Sequence, residues 1–241
     1  MRKAAGIIPA RFQSSRFPGK PLALIQGKPM IQWVYESVKK SALLSRFIIA
    51  TDDKRIQQAA AGFGAEVFMT AAGHPSGTDR VAEVANQLDT PVIINIQGDE
   101  PLVQGKMIDA LVEVLQDDSI PMASLMTRRS EMAGMQDPNE VKVVVDGLGY
   151  ALYFSRSPIP HGAKDFYDLH IGIYGYQKEF LRELTRMHAS RLEGVERLEQ
   201  LRILEAGFKI KMVEVPYSAL SVDAPEDIIK VEEFLKRSKH E

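Results

Sequence analysis

The sequence predicts an α/β fold: a mostly parallel, doubly wound sheet with an antiparallel second subdomain. Three observations carry this. As far as residue 127, apolar runs of strand length alternate with amphipathic helical segments, the signature of repeated β-α units. The most apolar of those runs, PVIINI at 91–96, suits the centre of a parallel sheet covered on both faces. Past residue 128 the pattern changes to strands joined by tight turns, starting with a hairpin at Gly147-Leu148-Gly149.

In order, the apolar run from Ala4 to Ile8 gives a first strand that breaks at Pro9 into a polar loop carrying Arg11, Ser14, Ser15, Arg16, Gly19 and Lys20. Residues 30–40 place Ile31, Val34, Tyr35 and Val38 on one helical face behind Pro29. A strand at 47–51 ends in Thr51-Asp52-Asp53, acidic enough to cap a helix at 53–63. A strand at 66–70, the loop AAGHPSGTDR and a helix at about 78–88 follow. The central strand 91–96 runs into Gln97-Gly98-Asp99-Glu100-Pro101, then come a helix at 105–116 and a strand at 122–127. The second part holds a hairpin (141–146 with 150–155), a strand at 170–176, helices at 178–187 and 194–206, and a strand at 209–215. The turn VDAPED leads into a closing helix at 224–236 with Pro225 in its first turn. The parts 1–128 and 129–241 read as one compact domain, because no Ser/Gly-rich spacer divides them.

Composition removes several function classes. The chain has 241 residues, 45% of them hydrophobic and 26% charged, and a net charge of −2, which describes a globular protein without a general nucleic-acid-binding face. It has no cysteine, so disulfides, thiolate nucleophiles and Cys-ligated metals are excluded. No apolar stretch approaches a membrane span, and the expected setting is cytoplasmic. There is no GxxxxGK[ST] loop, and the histidines His74, His161, His170, His188 and His240 lack metal spacing or a serine elbow.

The charge that exists is unevenly placed. Arg2, Lys3, Arg11, Arg16, Lys20 and Lys28 precede the first acidic residue, Glu36. Arg11, Arg16 and Lys20 share one loop with small residues that let backbone N–H groups approach phosphate, so the loop is a candidate polyphosphate cradle; a solvated basic loop is the other reading. Asp99, at the end of the most buried strand, needs a cation partner. Mg²⁺ would serve, since it is bound by one or two carboxylates plus substrate phosphates. Asp223 is a candidate second ligand, although an acidic residue before a helix start is equally what an N-cap requires; a cap or turn is also the other reading of Asp99.

IPARFQSSRFPGKPL, SGTDR, NIQGDEP, KVVVDGLGYALYFSRSPIP, HIGIYGY, LEQLR and VDAPED, in that order, closely resemble the 3-deoxy-manno-octulosonate cytidylyltransferases, and the likeness covers nearly the whole chain. The resemblance implies the nucleotide-diphospho-sugar transferase fold, a homodimer, Mg²⁺, and transfer of CMP from CTP to the anomeric hydroxyl of 3-deoxy-D-manno-octulosonate (Kdo), with CMP-Kdo going to lipopolysaccharide synthesis. It implies that Arg11, Arg16 and Lys20 hold the triphosphate, with Ser14 beside them. It places Ala10, Ser76, Gly77 and Arg80 around the cytidine, and Asp99 and Asp223 on the metal. Arg156 is expected to grip the sugar carboxylate, with His170, Tyr174, Glu199 and Gln200 on the sugar hydroxyls. The chain departs from the family's usual pattern at Leu169 and Gln177, where basic residues are common, and in a short 161–168 segment.

Overall fold

The computed structural model describes residues 2–13, 17–216 and 220–237. In chain order the elements are β1 (Ala4–Ala10), β2 (Leu24–Ile25), β3 (Lys28–Pro29), α1 (Met30–Val38), β4 (Leu44–Thr51), α2 (Lys54–Gly62), β5 (Glu66–Met69), α3 (Gly77–Ala85), β6 (Val92–Asn95) and α4 (Gly105–Val114). They continue with β7 (Met122–Arg129), β8 (Lys142–Val145), β9 (Ala151–Ser155), β10 (Tyr167–Gln177), α5 (Lys178–Leu184), α6 (Arg191–Glu196), α7 (Gln200–Glu205), β11 (Lys211–Glu214) and α8 (Asp227–Arg237).

Two units emerge: Arg2–Asp109 with the described part of Ala219–Glu241, and the described part of Ala110–Ser218. The expected boundary at 128 is therefore replaced by one inside α4, and the end of the chain joins the first unit. The cause is apolar: Val222 and Val231 are fully buried in one cluster with Ile25 and Met30.

In the first unit the strands pair in the order β6-β1-β4-β5, all parallel. Ile7 and Ile8 in β1, Ile48 and Ile49 in β4, and Val92 to Ile94 in β6 are fully buried, which agrees with the continuous apolar runs. β1 does not break at Pro9 but runs on to Ala10. Its pairing with β6 ends at Ile7 opposite Asn95, while pairing with β4 continues to Ala10 opposite Thr51. Pro9, which has no N–H, thus falls where only one neighbour remains.

Helix α2 begins as the sequence predicts. The Asp53 side chain accepts a hydrogen bond from the Arg55 N–H at 2.8 Å and an ion pair from its guanidinium at 2.6 Å, which together hold its carboxyl down at about 2.

The second unit is mainly antiparallel. β7 pairs β10, β10 pairs β8 and β8 pairs β9, all antiparallel, while β11 joins β7 in parallel. β7 ends the alternation seen in the sequence, yet it belongs to this unit. Lys142 on β8 is fully buried, and its ammonium donates to the carbonyls of Asp137, Glu140 and Arg156 at 2.9, 2.5 and 2.6 Å. A buried lysine is tolerated because every proton has an acceptor.

The helix expected at 194–206 is two helices. Ser190 and Glu193 form a capping box that starts α6 earlier. Arg197, in the left-handed region at φ 55° and ψ 48°, ends it before α7. The closing helix begins at Asp227, not 224. Gln177 is buried, and its side-chain N–H₂ group serves the carbonyls of Leu115, Asp117 and Ile120. Leu169 lies in an apolar cluster with Met135 and Tyr167. Both departures from the basic pattern are thus packing residues here.

Candidate active site

The C-terminal end of β1 opens into a cavity of about 250 Å³ in the first unit. Its lining includes Ala10, Arg11, Lys20, Ser76, Gly77, Arg80, Asp99 and Asp223. Parallel α/β sheets collect ligands at that end because the loops there converge and helix N-termini point inward. Ser14 and Arg16 lie outside the described residues.

Each wall has a local cause. The loop after β1 folds back on itself, with the Gly19 N–H donating to the Phe12 carbonyl at 2.8 Å. Gly19 has φ +75°, and a Cβ there would press on the Phe12 ring at 3.1 Å, so glycine meets both demands. The Arg55 guanidinium lies over that ring, 3.3 Å from its centroid. Opposite, a Cβ at Gly98 would stand 3.1 Å from the Pro9 carbonyl oxygen, so any side chain there would make the Asp99 loop or the end of β1 give by a few tenths of an ångström. Ser76 caps α3: its Oγ accepts from the Asp79 N–H at 3.2 Å and donates to the Asp79 carboxylate at 2.7 Å. Arg80 is buried, paired with Asp52 at 3.2 Å and donating to the Thr70 hydroxyl.

Charge meets charge at Lys20. Its ammonium donates to Asp99 Oδ2 at 2.5 Å and to the Val222 carbonyl at 2.9 Å, and lies 3.9 Å from Asp223 Oδ1. Two carboxylates 124 positions apart in sequence therefore share one cation. Asp227 accepts in turn from the N–H groups of Asp223 and Ala224, both at 3.0 Å. The Val222 N–H also donates to the Asp99 carbonyl at 2.9 Å, tying the two segments directly. Behind them Glu100 is buried, its Oε2 without a partner among the described residues. Burial, then the charges of Asp99 and Asp223, push its carboxyl up to about 8 against the pull of Lys20. Lys20 is thus balanced by acids rather than crowded by Arg11, which is exposed at the cavity mouth.

The second unit gathers His170, Tyr174 and Gln200. The Gln200 side-chain N–H₂ lies 3.5 Å from His170 Nδ1, and His170 Nε2 lies 2.9 Å from Ser124 Oγ. The Tyr174 hydroxyl donates to Gln200 Oε1 at 3.3 Å. An amide N–H₂ only donates, so Nδ1 accepts and Nε2–H faces Ser124, whose hydroxyl can donate to the Ile173 carbonyl at 3.0 Å. Burial lowers His170 to about 3, so the ring is neutral, and burial followed by Glu199 raises Tyr174. Both nitrogens of His170 are committed inside the protein, leaving Tyr174 and Glu199 as the half-buried members. Arg156 stands at the end of β9, its Nε, Nη1 and Nη2 donating to the carbonyls of Glu196, Pro138 and Arg197 at 2.9, 2.8 and 3.5 Å. Two of its five N–H groups are left over.

Residues 5–211 match the family model described as cytidylyltransferase. The 3-deoxy-manno-octulosonate cytidylyltransferase of Syntrophotalea carbinolica is 49% identical over 95% of this chain and 97% of its own length. The chain belongs to the 3-deoxy-manno-octulosonate cytidylyltransferase family. The Geotalea daltonii member is 48% identical over 97% of this chain and 98% of its own length. A solved structure of CMP:2-keto-3-deoxy-manno-octonic acid synthetase complexed with CTP superposes with a TM-score of 0.93 at 41% identity, covering 98% of this chain and 99% of that one.

Some residues of this cytidylyltransferase escape a reading from sequence. His74 and Gln97 line the cavity, although each stood next to a motif already singled out, in HPSGTDR and IQGDEP. Asp52, the partner of Arg80, read only as part of a helix cap. Nothing local signals Glu100, whose character comes from burial beside two other carboxylates.

Proposed function

We propose that the chain transfers CMP from CTP to the anomeric hydroxyl of Kdo, releasing pyrophosphate. The observation that carries this is the pair Asp99 and Asp223 meeting on Lys20 at the mouth of the cavity that Arg11, Ser76, Gly77 and Arg80 line. The sugar oxygen bonds to the α-phosphorus, the bond from that phosphorus to the bridging oxygen breaks, and the hydroxyl proton passes to water. In a reaction of this kind the protein contributes mainly positioning and charge neutralisation. Arg11 and Lys20 hold the triphosphate and offset charge on the departing pyrophosphate. Ser76, Gly77 and the buried Arg80 shape the cytidine end, and Ala10 closes its floor.

Mg²⁺ fits the donor set. Asp99 and Asp223 offer oxygen ligands at one point, and no cluster of three acidic or histidine side chains forms a cage among the described residues, so substrate phosphates would complete the shell. When bound, the ion supplies Lewis-acid polarisation of the α-phosphate and the sugar hydroxyl. Lys20, which neutralises the carboxylates in its absence, is then available to phosphate oxygens.

On the acceptor side, Tyr174, Glu199 and Gln200 address the sugar hydroxyls, with His170 fixing Gln200. Arg156 offers its two remaining N–H groups to the sugar carboxylate. The same reading includes a cytoplasmic homodimer that supplies CMP-Kdo to lipopolysaccharide synthesis. In support of pairing, Leu148 and Leu152 on the β8–β9 hairpin are 71% and 61% exposed; among the described residues no helix is long and apolar enough to cross a membrane. Pyrophosphate release measured with CTP, Mg²⁺ and Kdo, sialic acid or an 8-amino analogue tests the assignment. Turnover with Kdo is expected; turnover with sialic acid alone would overturn it.

A further inference from the structure

We infer that His74 selects the base of the nucleotide: its Nδ1 accepts a hydrogen bond from the 4-amino group of cytosine and so favours CTP over UTP. This rests on the reading that the cavity of the first unit holds the nucleotide. His74 lines that cavity beside Ser76, Gly77 and Arg80, with its side chain 19% exposed. Its Nε2 faces the Glu83 carboxylate on α3, which also accepts from the Ala71 N–H at 3.0 Å. That carboxyl is held below its ordinary range, chiefly by the bond to His74.

An ionised carboxylate can only accept, so Nε2 carries the proton, and in the neutral ring Nδ1 is left with a bare lone pair. Nδ1 has no partner among the described residues. Glu83 therefore fixes both the tautomer and the tilt of the ring. Arg80 in the same cavity can only donate, and Asp52 holds it in place.

An acceptor at His74 Nδ1 with the Arg80 donor in the same lining matches cytosine, which presents an amino donor next to the N3 and O2 acceptors. Uracil presents a carbonyl oxygen in place of the amino group and an N–H at position 3. Against Nδ1 that oxygen would put lone pair to lone pair, leaving two buried acceptors unsatisfied.

The test is the ratio of kcat/KM for CTP to that for UTP, read from pyrophosphate release with Kdo at pH 8.5. His74→Phe keeps the ring and removes both nitrogens; the ratio is expected to fall by about tenfold or more. His74→Asn loses the reach to Glu83 but places its Oδ1 where Nδ1 stood; it should lose rate on both nucleotides while keeping the ratio within about threefold of the parent. Thermal melting checks the fold of each variant, and His74→Ala replaces the phenylalanine variant should it not fold. A ratio unchanged in His74→Phe, or lost equally in His74→Asn, overturns the role of His74. Failure of the parent protein to use CTP would instead remove the nucleotide reading itself.

Discussion

Asp99→Asn separates chemistry from stability. The asparagine keeps the shape and an oxygen facing Lys20, so the 2.5 Å contact survives as a weaker hydrogen bond without a full ion pair. Asp99 is 29% exposed and Lys20 15%, so the lost charge costs about 1–2 kcal/mol. Part of that is returned, because the Asp99 charge is one of the causes that raise Glu100. The net loss should stay near 1 kcal/mol, a fall in melting temperature of about 2–4 °C for a chain of this size. The rate should fall far more, by about 10³-fold or greater, because a neutral amide is a poor ligand for a divalent ion and supplies no charge. Differential scanning fluorimetry and pyrophosphate release with CTP, Mg²⁺ and Kdo measure the two on one preparation. A rate within tenfold of the parent, or a melting temperature lower by more than about 10 °C, would refute the reasoning: the first removes the metal role, the second makes Asp99 a structural anchor.

Three further outcomes follow from the geometry. Tyr174→Phe removes the hydroxyl that donates to Gln200 at 3.3 Å; KM for Kdo should rise by about tenfold while KM for CTP stays put, which initial-rate kinetics would read. Asp53→Ala loses the α2 cap and should cost about 1 kcal/mol at pH 7. Because the Asp53 carboxyl is depressed to about 2 in the folded protein, its stabilising contribution is complete above its unfolded value and is lost as pH falls toward 2. Urea melts of the two proteins should therefore converge between about pH 4 and 2. Lys142→Met takes the ammonium donor from the carbonyls of Asp137, Glu140 and Arg156, of which Asp137 keeps the Glu140 N–H at 3.2 Å, so urea melts should show a loss of about 2 kcal/mol or more.

The sequence reveals what depends on local chemistry. Apolar periodicity places nearly every strand and helix, and Asp53 announces the start of α2 as a cap should. One error had a signal that was present: Ser190 and Glu193 spell a capping box, which would have started α6 before 194. The stop at Arg197 has no such signal, since a left-handed arginine is stabilised by its surroundings and not by its own preference. The run of β1 through Pro9 depends on where β6 stops, which is a matter of tertiary pairing. The candidate site divides in the same way. The loop motifs mark Ala10, Arg11, Ser76, Gly77, Asp99 and Asp223, but the meeting of Asp99 and Asp223 on Lys20 spans the chain and emerges only when β6 and the segment before α8 are set side by side. His170 reads as a polar contact in HIGIYGY, yet burial and two internal hydrogen bonds make it a support for Gln200.

Asp223 is delivered by the strand-like segment at Val222 that bonds back to Asp99, only after the whole of the second unit has been synthesised. Ser76, Arg80 and Asp99 lie in the first 100 residues, whereas the second carboxylate of the same cavity waits for residue 223. On the proposed metal role, a chain that stops short of Val222 lacks half of the ion's protein ligands until the segment packed against Ile25 and Met30 is in place.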